Sequence, residues 1–207
     1  ETNNLAFADR YWIPKGSIIE LADGFFNPET AGPNASQHQV NYHHSLNINV
    51  PCMVLLGPPG IGKSTEFQRA KSAAREQGYE AVFTSLAAIY TSDALEKLLV
   101  DSATAEASSP IFFFLDALDE SPVTVPVVQQ WIIRAAEISK NLSEKYGNQV
   151  LIRISARTAD WSDQFEEQLR EVWGKDSVQV YELLPFSRDQ AISFIEKQTS
   201  RASEFIS

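Results

Sequence analysis

Eight residues, Gly57-Pro58-Pro59-Gly60-Ile61-Gly62-Lys63-Ser64, constrain this chain more than any other feature. They match G-x-x-x-x-G-K-[ST], the phosphate-binding P-loop, and their surroundings fit it. An apolar run, Cys52-Met53-Val54-Leu55-Leu56, leads in as a buried strand would, and a helix-compatible stretch from Ser64 to Gln77 follows. A polyphosphate needs several donors converging on it. Gly57, Gly60 and Gly62 let the backbone come close to an anion. The loop N–H groups then form an anion-binding concavity, and the following helix directs its positive end to the same point. Lys63 supplies a cation for the β- and γ-phosphates, and Ser64 a hydroxyl for Mg²⁺. Gly57 through Thr65 is the expected nucleotide-binding segment.

A second motif lies downstream. Ile111-Phe112-Phe113-Phe114-Leu115 is a continuous apolar run, as expected of a central parallel strand covered on both faces. It ends in Asp116-Ala117-Leu118-Asp119-Glu120. A carboxylate at the carboxyl end of such a strand sits where ligands bind in open α/β sheets. Asp116 is therefore the expected Walker B ligand of Mg²⁺, acting through water. The competing reading of Asp116 to Glu120 is a solvated acidic turn. Many P-loop ATPases place a catalytic Glu directly after the magnesium Asp. Here that position is Ala117, and the acidic pair comes later, at Asp119 and Glu120.

A magnesium Asp, a small residue and an acidic pair three and four positions on resembles the Walker B form of NACHT-type NTPases, in the STAND class of signal-transducing ATPases. The resemblance implies that Glu120, with Asp119 beside it, polarises the attacking water. The order of later segments resembles the same family. Val125 to Lys140 carries Val128, Trp131, Ile132, Ala135 and Ile138 at helical spacing, the face of a packed helix. Val150 to Ser155 reads as a strand, with Ala156-Arg157-Thr158 just past its end. In NACHT-like proteins a polar–Arg sensor segment lies there, which implies Arg157 near the γ-phosphate; Arg153 lies inside the strand. Leu184-Pro185-Phe186-Ser187 also resembles these proteins, with Ser187 placed to cap the helix carrying Ala191, Ile192, Phe194 and Ile195.

Arg10-Tyr11-Trp12-Ile13-Pro14 and the segment from Leu21 to Pro28 resemble stretches that precede the P-loop in large bacterial NACHT-like proteins, antiviral defence ATPases among them. Tyr11 or Trp12 either offers a face to the adenine or packs in the core. The hydrophobic-Gly-Arg adenine segment of many STAND relatives is not present, nor is an Asn-Lys-x-Asp guanine-reading motif. The implied ligands are ATP or ADP with Mg²⁺. The resemblance also implies self-association in the full-length protein, where nucleotide state controls an oligomerisation switch. A helical lid and winged-helix domain are expected beyond this chain. An isolated core without its lid is expected to bind nucleotide weakly and hydrolyse it slowly. Two other readings compete: a small-molecule kinase, and an interaction module that binds nucleotide without turnover.

Alternating strands and helices from Cys52 onward argue for an α/β fold. The expectation is a P-loop NTPase three-layer sandwich, a five-stranded parallel sheet with helices on both faces. Strands are expected near 52–56, 80–85, 110–116, 149–155 and 178–183, in the order 5-1-4-3-2 that the family implies. Residues 1–48 form an N-terminal segment leading into the core, and 49–207 the core itself. Asn27 to Gln39 reads as an exposed loop. The 207 residues, 43% apolar, suffice for a sizeable core. With 17 basic against 27 acidic residues, the net charge of −10 disfavours direct nucleic-acid binding. A single cysteine, Cys52, excludes an intrachain disulfide and fits a reducing, cytoplasmic setting. No apolar run approaches a membrane span. His38, His43 and His44 lack metal spacing and read as surface or packing residues.

Overall fold

The computed structural model describes residues 10–19, 21–27, 40–103, 110–147 and 149–196. The chain enters as β1 (Trp12–Pro14) and turns through a hairpin, β2 (Leu21–Ala22) and β3 (Phe25–Phe26). Asp23 and Gly24 make its two-residue turn, both with positive φ (50° and 80°), as hairpin turns of this length require. Strands and helices then alternate: β4 (Cys52–Leu56), α1 (Lys63–Glu76), β5 (Glu80–Ser85), α2 (Ser92–Ala103), β6 (Ile111–Asp116), α3 (Val125–Tyr146), β7 (Val150–Ala156), α4 (Asp163–Trp173) and β8 (Val178–Leu183). Residues 188–196 are helical.

The uniformly apolar runs become strands buried on both faces. Every residue of β4, β6 and β7 is buried. Alternation along them sorts the side chains between two layers. Val54, Leu56, Phe113, Leu115, Ile152 and Ile154 pack toward Leu95 and Leu99 of α2, Val128, Ile132 and Ala135 of α3, and Phe165 and Leu169 of α4. Met53, Leu55, Phe112, Phe114 and Leu151 face the other way, onto Phe67, Ala70 and Ala74 of α1. The result is a three-layer α/β sandwich. Helix α3 continues past Lys140 to Tyr146, where Gly147 ends it in the left-handed conformation (φ 71°).

The sheet departs from the expected five strands in count and in order. Six strands run β1-β8-β4-β7-β6-β5. The parallel members keep the succession β8-β4-β7-β6-β5, and β1 is added on the outside, antiparallel to β8, with Trp12 opposite Leu183. A strand of three residues is too short to show a period, and Pro14, which lacks a ladder donor, suits the edge. Part of the 1–48 segment is thereby built into the sheet of the core.

That strand settles the two N-terminal aromatics. Trp12 is fully buried, its Nε1–H donates to Glu66 Oε2 at 3.1 Å, and its ring lies 6.5 Å from that of Tyr181. It packs in the core and has no face for a base. Tyr11 meets Phe26 edge-on at 5.7 Å. Of the expected loop at Asn27 to Gln39, residues 28–39, with His38, lie outside the described residues.

Arg153 is fully buried in β7 and donates to the carbonyls of Ser45, Asn47, Val50, Pro51 and Ile152. It clamps the segment before β4 to the middle of the sheet. His44 contacts the Tyr181 hydroxyl at 2.9 Å, and Cys52 is a buried thiol pushed up to about 12 by burial. Among the described residues no cluster of His, Cys, Asp or Glu has metal-binding form. No described helix is long and apolar enough to cross a membrane.

Candidate functional site

The loop between β4 and α1 owes its shape to its glycines. At Gly57 a Cβ would come 3.0 Å from Ile61 Cγ2, so any side chain there would have to push Ile61 aside. Gly62 takes φ 105°, a region that side chains rarely enter, and caps α1 without a side-chain hydrogen bond. The first N–H groups of a helix have no partner within it. With no side chain spent on capping, they are left to an anion. Ser64 and Thr65 are exposed on this first turn.

Lys63 is buried and turns back over the loop, donating from Nζ to the Gly57 carbonyl at 2.8 Å and the Pro58 carbonyl at 3.1 Å. Burial pushes its ammonium down from its ordinary range; Asp119 and Asp116 push it up, Arg157 pushes it down and Glu120 up. The P-loop lysine and the downstream acidic and basic residues therefore share one electrostatic site, although 53 to 94 positions separate them in the chain. Pairing of β6 with β7, and of β7 with β4, brings them together at the carboxyl edge.

Asp116 closes β6 and is buried. Ser155 of β7 donates from Oγ to Asp116 Oδ1 at 2.5 Å, and Ser155 Oγ in turn accepts the Ala117 N–H at 2.9 Å. Ser155 thus fixes both the carboxylate and the start of the turn beyond it. Ala117 takes the left-handed conformation (φ 58°, ψ 60°), costly for a residue with a Cβ. A 3₁₀ turn over Leu118–Glu120 follows, closed by the Glu120 N–H donating to the Ala117 carbonyl at 3.0 Å.

The turn separates the acidic pair. Asp119 points at the end of β7: its Oδ1 accepts the Arg157 backbone N–H at 3.2 Å, and its Oδ2 lies 2.5 Å from Arg157 Nε as an ion pair rather than an aligned hydrogen bond. Glu120 is exposed, and its carboxylate has no hydrogen bond or ion pair among the described residues.

A Mg²⁺ site of the nucleotide kind needs only one or two protein oxygens, because phosphates and water complete the shell. Asp116 fits such a role: Ser155 occupies one of its oxygens, and the Ser64 hydroxyl lies on the facing helix turn.

Sequence reasoning missed three contributors. Ser155 is one. Arg10 is another: it is buried, donates from Nη1 to the Ile61 carbonyl at 2.7 Å and from Nε and Nη2 to the Leu184 carbonyl, and lies 4.0 Å over the Phe186 ring. It ties the P-loop to the segment after β8. Its one signal is a basic residue directly before the aromatic pair Tyr11-Trp12. The third is Glu66 of α1, buried between Trp12 and Arg69; burial raises its carboxyl, opposed by Arg69, the Trp12 hydrogen bond and Arg10. A cavity of 160 Å³ opens beside the loop, lined in part by Arg10, Gly60, Thr65, Glu66, Phe186 and Phe194. Ser187 caps the helical stretch that follows: its Oγ accepts the Gln190 N–H at 3.2 Å, and Gln190 Oε1 accepts the Ser187 N–H at 2.9 Å, a reciprocal capping box.

No protein-family model matches the chain, and no curated protein matches it in sequence. Among solved structures it is similar to a DNA replication initiation factor, at 12% identity and a TM-score of 0.49, over 88% of this chain and 52% of that one. It is similar to AMPPCP-bound DnaA from Aquifex aeolicus at 14% identity and a TM-score of 0.44, over 89% of this chain and 53% of the other. A replication initiator DnaA bound to AMPPCP and single-stranded DNA matches at 15% identity and a TM-score of 0.44, over 75% and 48%. The chain spans about half the length of these structures. Likeness at this level leaves the chemistry of the site to its own residues.

Proposed function

We propose that this chain is the ATP-binding and ATP-hydrolysing core of a signalling NTPase of the STAND class, NACHT type, in which nucleotide state controls an oligomerisation switch. One observation carries the reading: parallel pairing of β4, β7 and β6 brings the loop that holds Lys63, the Asp116–Glu120 turn and Arg157 to one edge of the sheet, and Lys63 feels the charges of Asp116, Asp119, Glu120 and Arg157 there. A solvated acidic turn has no reason to face a P-loop lysine.

In this reading the backbone from Gly57 to Thr65 cradles the phosphates and Lys63 neutralises them. Ser64 and Asp116 hold Mg²⁺, which when bound neutralises charge on the β- and γ-phosphate oxygens. Glu120 orients a water in line with the γ-phosphorus and takes its proton, as the bond to the β–γ bridging oxygen breaks and ADP leaves. Arg157 stabilises charge on the transferred group. The cavity beside Gly60 and Thr65 is the space assigned to the base. Residues 1–48 serve as the lead-in and 49–207 as the core, in a cytoplasmic protein of signalling or antiviral defence that self-associates at full length.

The test is Glu120→Gln, which keeps the shape and removes the base. Bound ATP should persist in this variant while phosphate release stops. Phosphate release at the wild-type rate would remove Glu120 from the mechanism and, with it, the NACHT-type assignment.

A further inference from the structure

The acidic pair at 119 and 120 reads in sequence as one catalytic unit, and the structure divides it. Asp119 has a side chain only 6% exposed, with both oxygens engaged by Arg157, one by the backbone N–H and one by Nε. The Arg157 side chain is 41% exposed, so this is not a buried pair that the fold needs in order to close. Glu120 points into the open with its carboxylate uncommitted among the described residues. Asp119, nearly buried and with both oxygens turned to Arg157, is poorly placed to meet a water, whereas the Glu120 carboxylate is open to one.

We infer that Asp119 is a positioning residue that acts through Arg157, holding the arginine at the end of β7 where it can meet a transferred phosphoryl group, and that Glu120 alone engages the attacking water. The inference rests on the ATPase reading above. It adds a coupling between two strands: Asp119 follows β6, Arg157 follows β7, and Ser155 joins the same two strands through Asp116 and Ala117. The left-handed Ala117 is what turns Asp119 toward β7. A residue that oriented water itself would lose turnover independently of Arg157. A residue that acts through Arg157 loses it only while Arg157 is present.

The experiment compares wild type, Asp119→Ala, Arg157→Ala and the double variant by single-turnover hydrolysis of Mg·ATP, with ATP affinity by calorimetry and hydrogen exchange of the Arg157 amide. Arg157→Ala should slow hydrolysis roughly a hundredfold, the effect of losing one preorganised donor. Asp119→Ala should slow it by a similar factor, and the double variant should be no slower than Arg157→Ala alone. ATP affinity should change little in any of them, because the P-loop supplies the binding. Asp119→Asn, which keeps an acceptor for the backbone N–H, should fall between wild type and Asp119→Ala. Losses that multiply in the double variant would overturn the inference while leaving the ATPase reading intact. A wild type that binds no triphosphate would overturn the ATPase reading. The Asp119–Arg157 coupling would then be decided by exchange alone: protection of the Arg157 amide should drop in Asp119→Ala, and unchanged protection refutes it.

Discussion

Arg153, midway along β7, and Arg157, just past its end, share a residue type and little else. Arg153 is fully buried, and its guanidinium donates only to backbone carbonyls, most of them in the segment from Ser45 to Pro51. Arg157 is partly exposed and pairs with one carboxylate at the carboxyl edge of the sheet, on the side of the glycine-rich loop. A cation enclosed by fixed carbonyls can bind nothing further, so it belongs to the scaffold. A cation at an open edge, held by a single ion pair, can change partner when an anion arrives. The lower half of β7 fixes the sheet, and its end carries the arginine to which the proposed mechanism gives a chemical role.

The largest expected effect falls on the scaffold side. Arg153→Met should lower the unfolding free energy by about 4 kcal/mol, since several buried carbonyls lose their donor. Chemical denaturation measures it; a loss below about 1 kcal/mol would mean that water replaces the guanidinium and that the clamp is dispensable.

Arg157→Ala should show the opposite profile. Stability should change by about 1–2 kcal/mol, less than at Arg153, because the pair is open on the arginine side and Asp119 keeps the Arg157 backbone N–H. Hydrolysis should fall roughly a hundredfold, equivalent to about 2.7 kcal/mol of barrier. A large loss of stability in this variant would erase the contrast with Arg153.

Ala117→Val sharpens the comparison from the β6 side. A branched side chain in the left-handed region should cost about 2 kcal/mol and should also slow hydrolysis by displacing Asp119 and Glu120 together. Melting and turnover measured on one preparation give both numbers. A stable variant with normal turnover would show that the turn does not position the acidic pair.

The smallest effect concerns pH. Burial holds the Glu66 carboxyl above its ordinary 4.5 in the folded chain. Between 4.5 and that raised value the folded state keeps a proton that the unfolded state has lost. Its contribution to stability is therefore complete below 4.5 and is lost as pH rises through the folded value. Glu66→Gln should flatten this part of the stability–pH curve; an unchanged slope would assign it to other groups.

Much of the sheet is legible from composition alone. The ends of β4, β5 and β8 fall at 52–56, 80–85 and 178–183, where short runs of apolar and β-branched residues stop at turn residues; β4 is buried throughout, while β5 and β8 are only partly covered. Strand β1 has three residues and no period to read. The loop residues and Asp116, Asp119 and Glu120 follow from motif spacing, which is local. The functions of Ser155 and Arg10 depend on partners 39 and 51 positions away. Only the order of strands in the sheet makes them neighbours, and no local pattern records it. The burial of Trp12 follows from the same cause, since it depends on β1 finding β8.

The central claim is that Lys63 and the loop around it bind a nucleoside triphosphate. Isothermal calorimetry of ATP, ADP and GTP with Mg²⁺, on wild type and Lys63→Ala, tests it most directly. The account predicts binding that prefers adenine nucleotides in wild type and is largely lost in the variant. Triphosphate binding of equal strength in both proteins would contradict it.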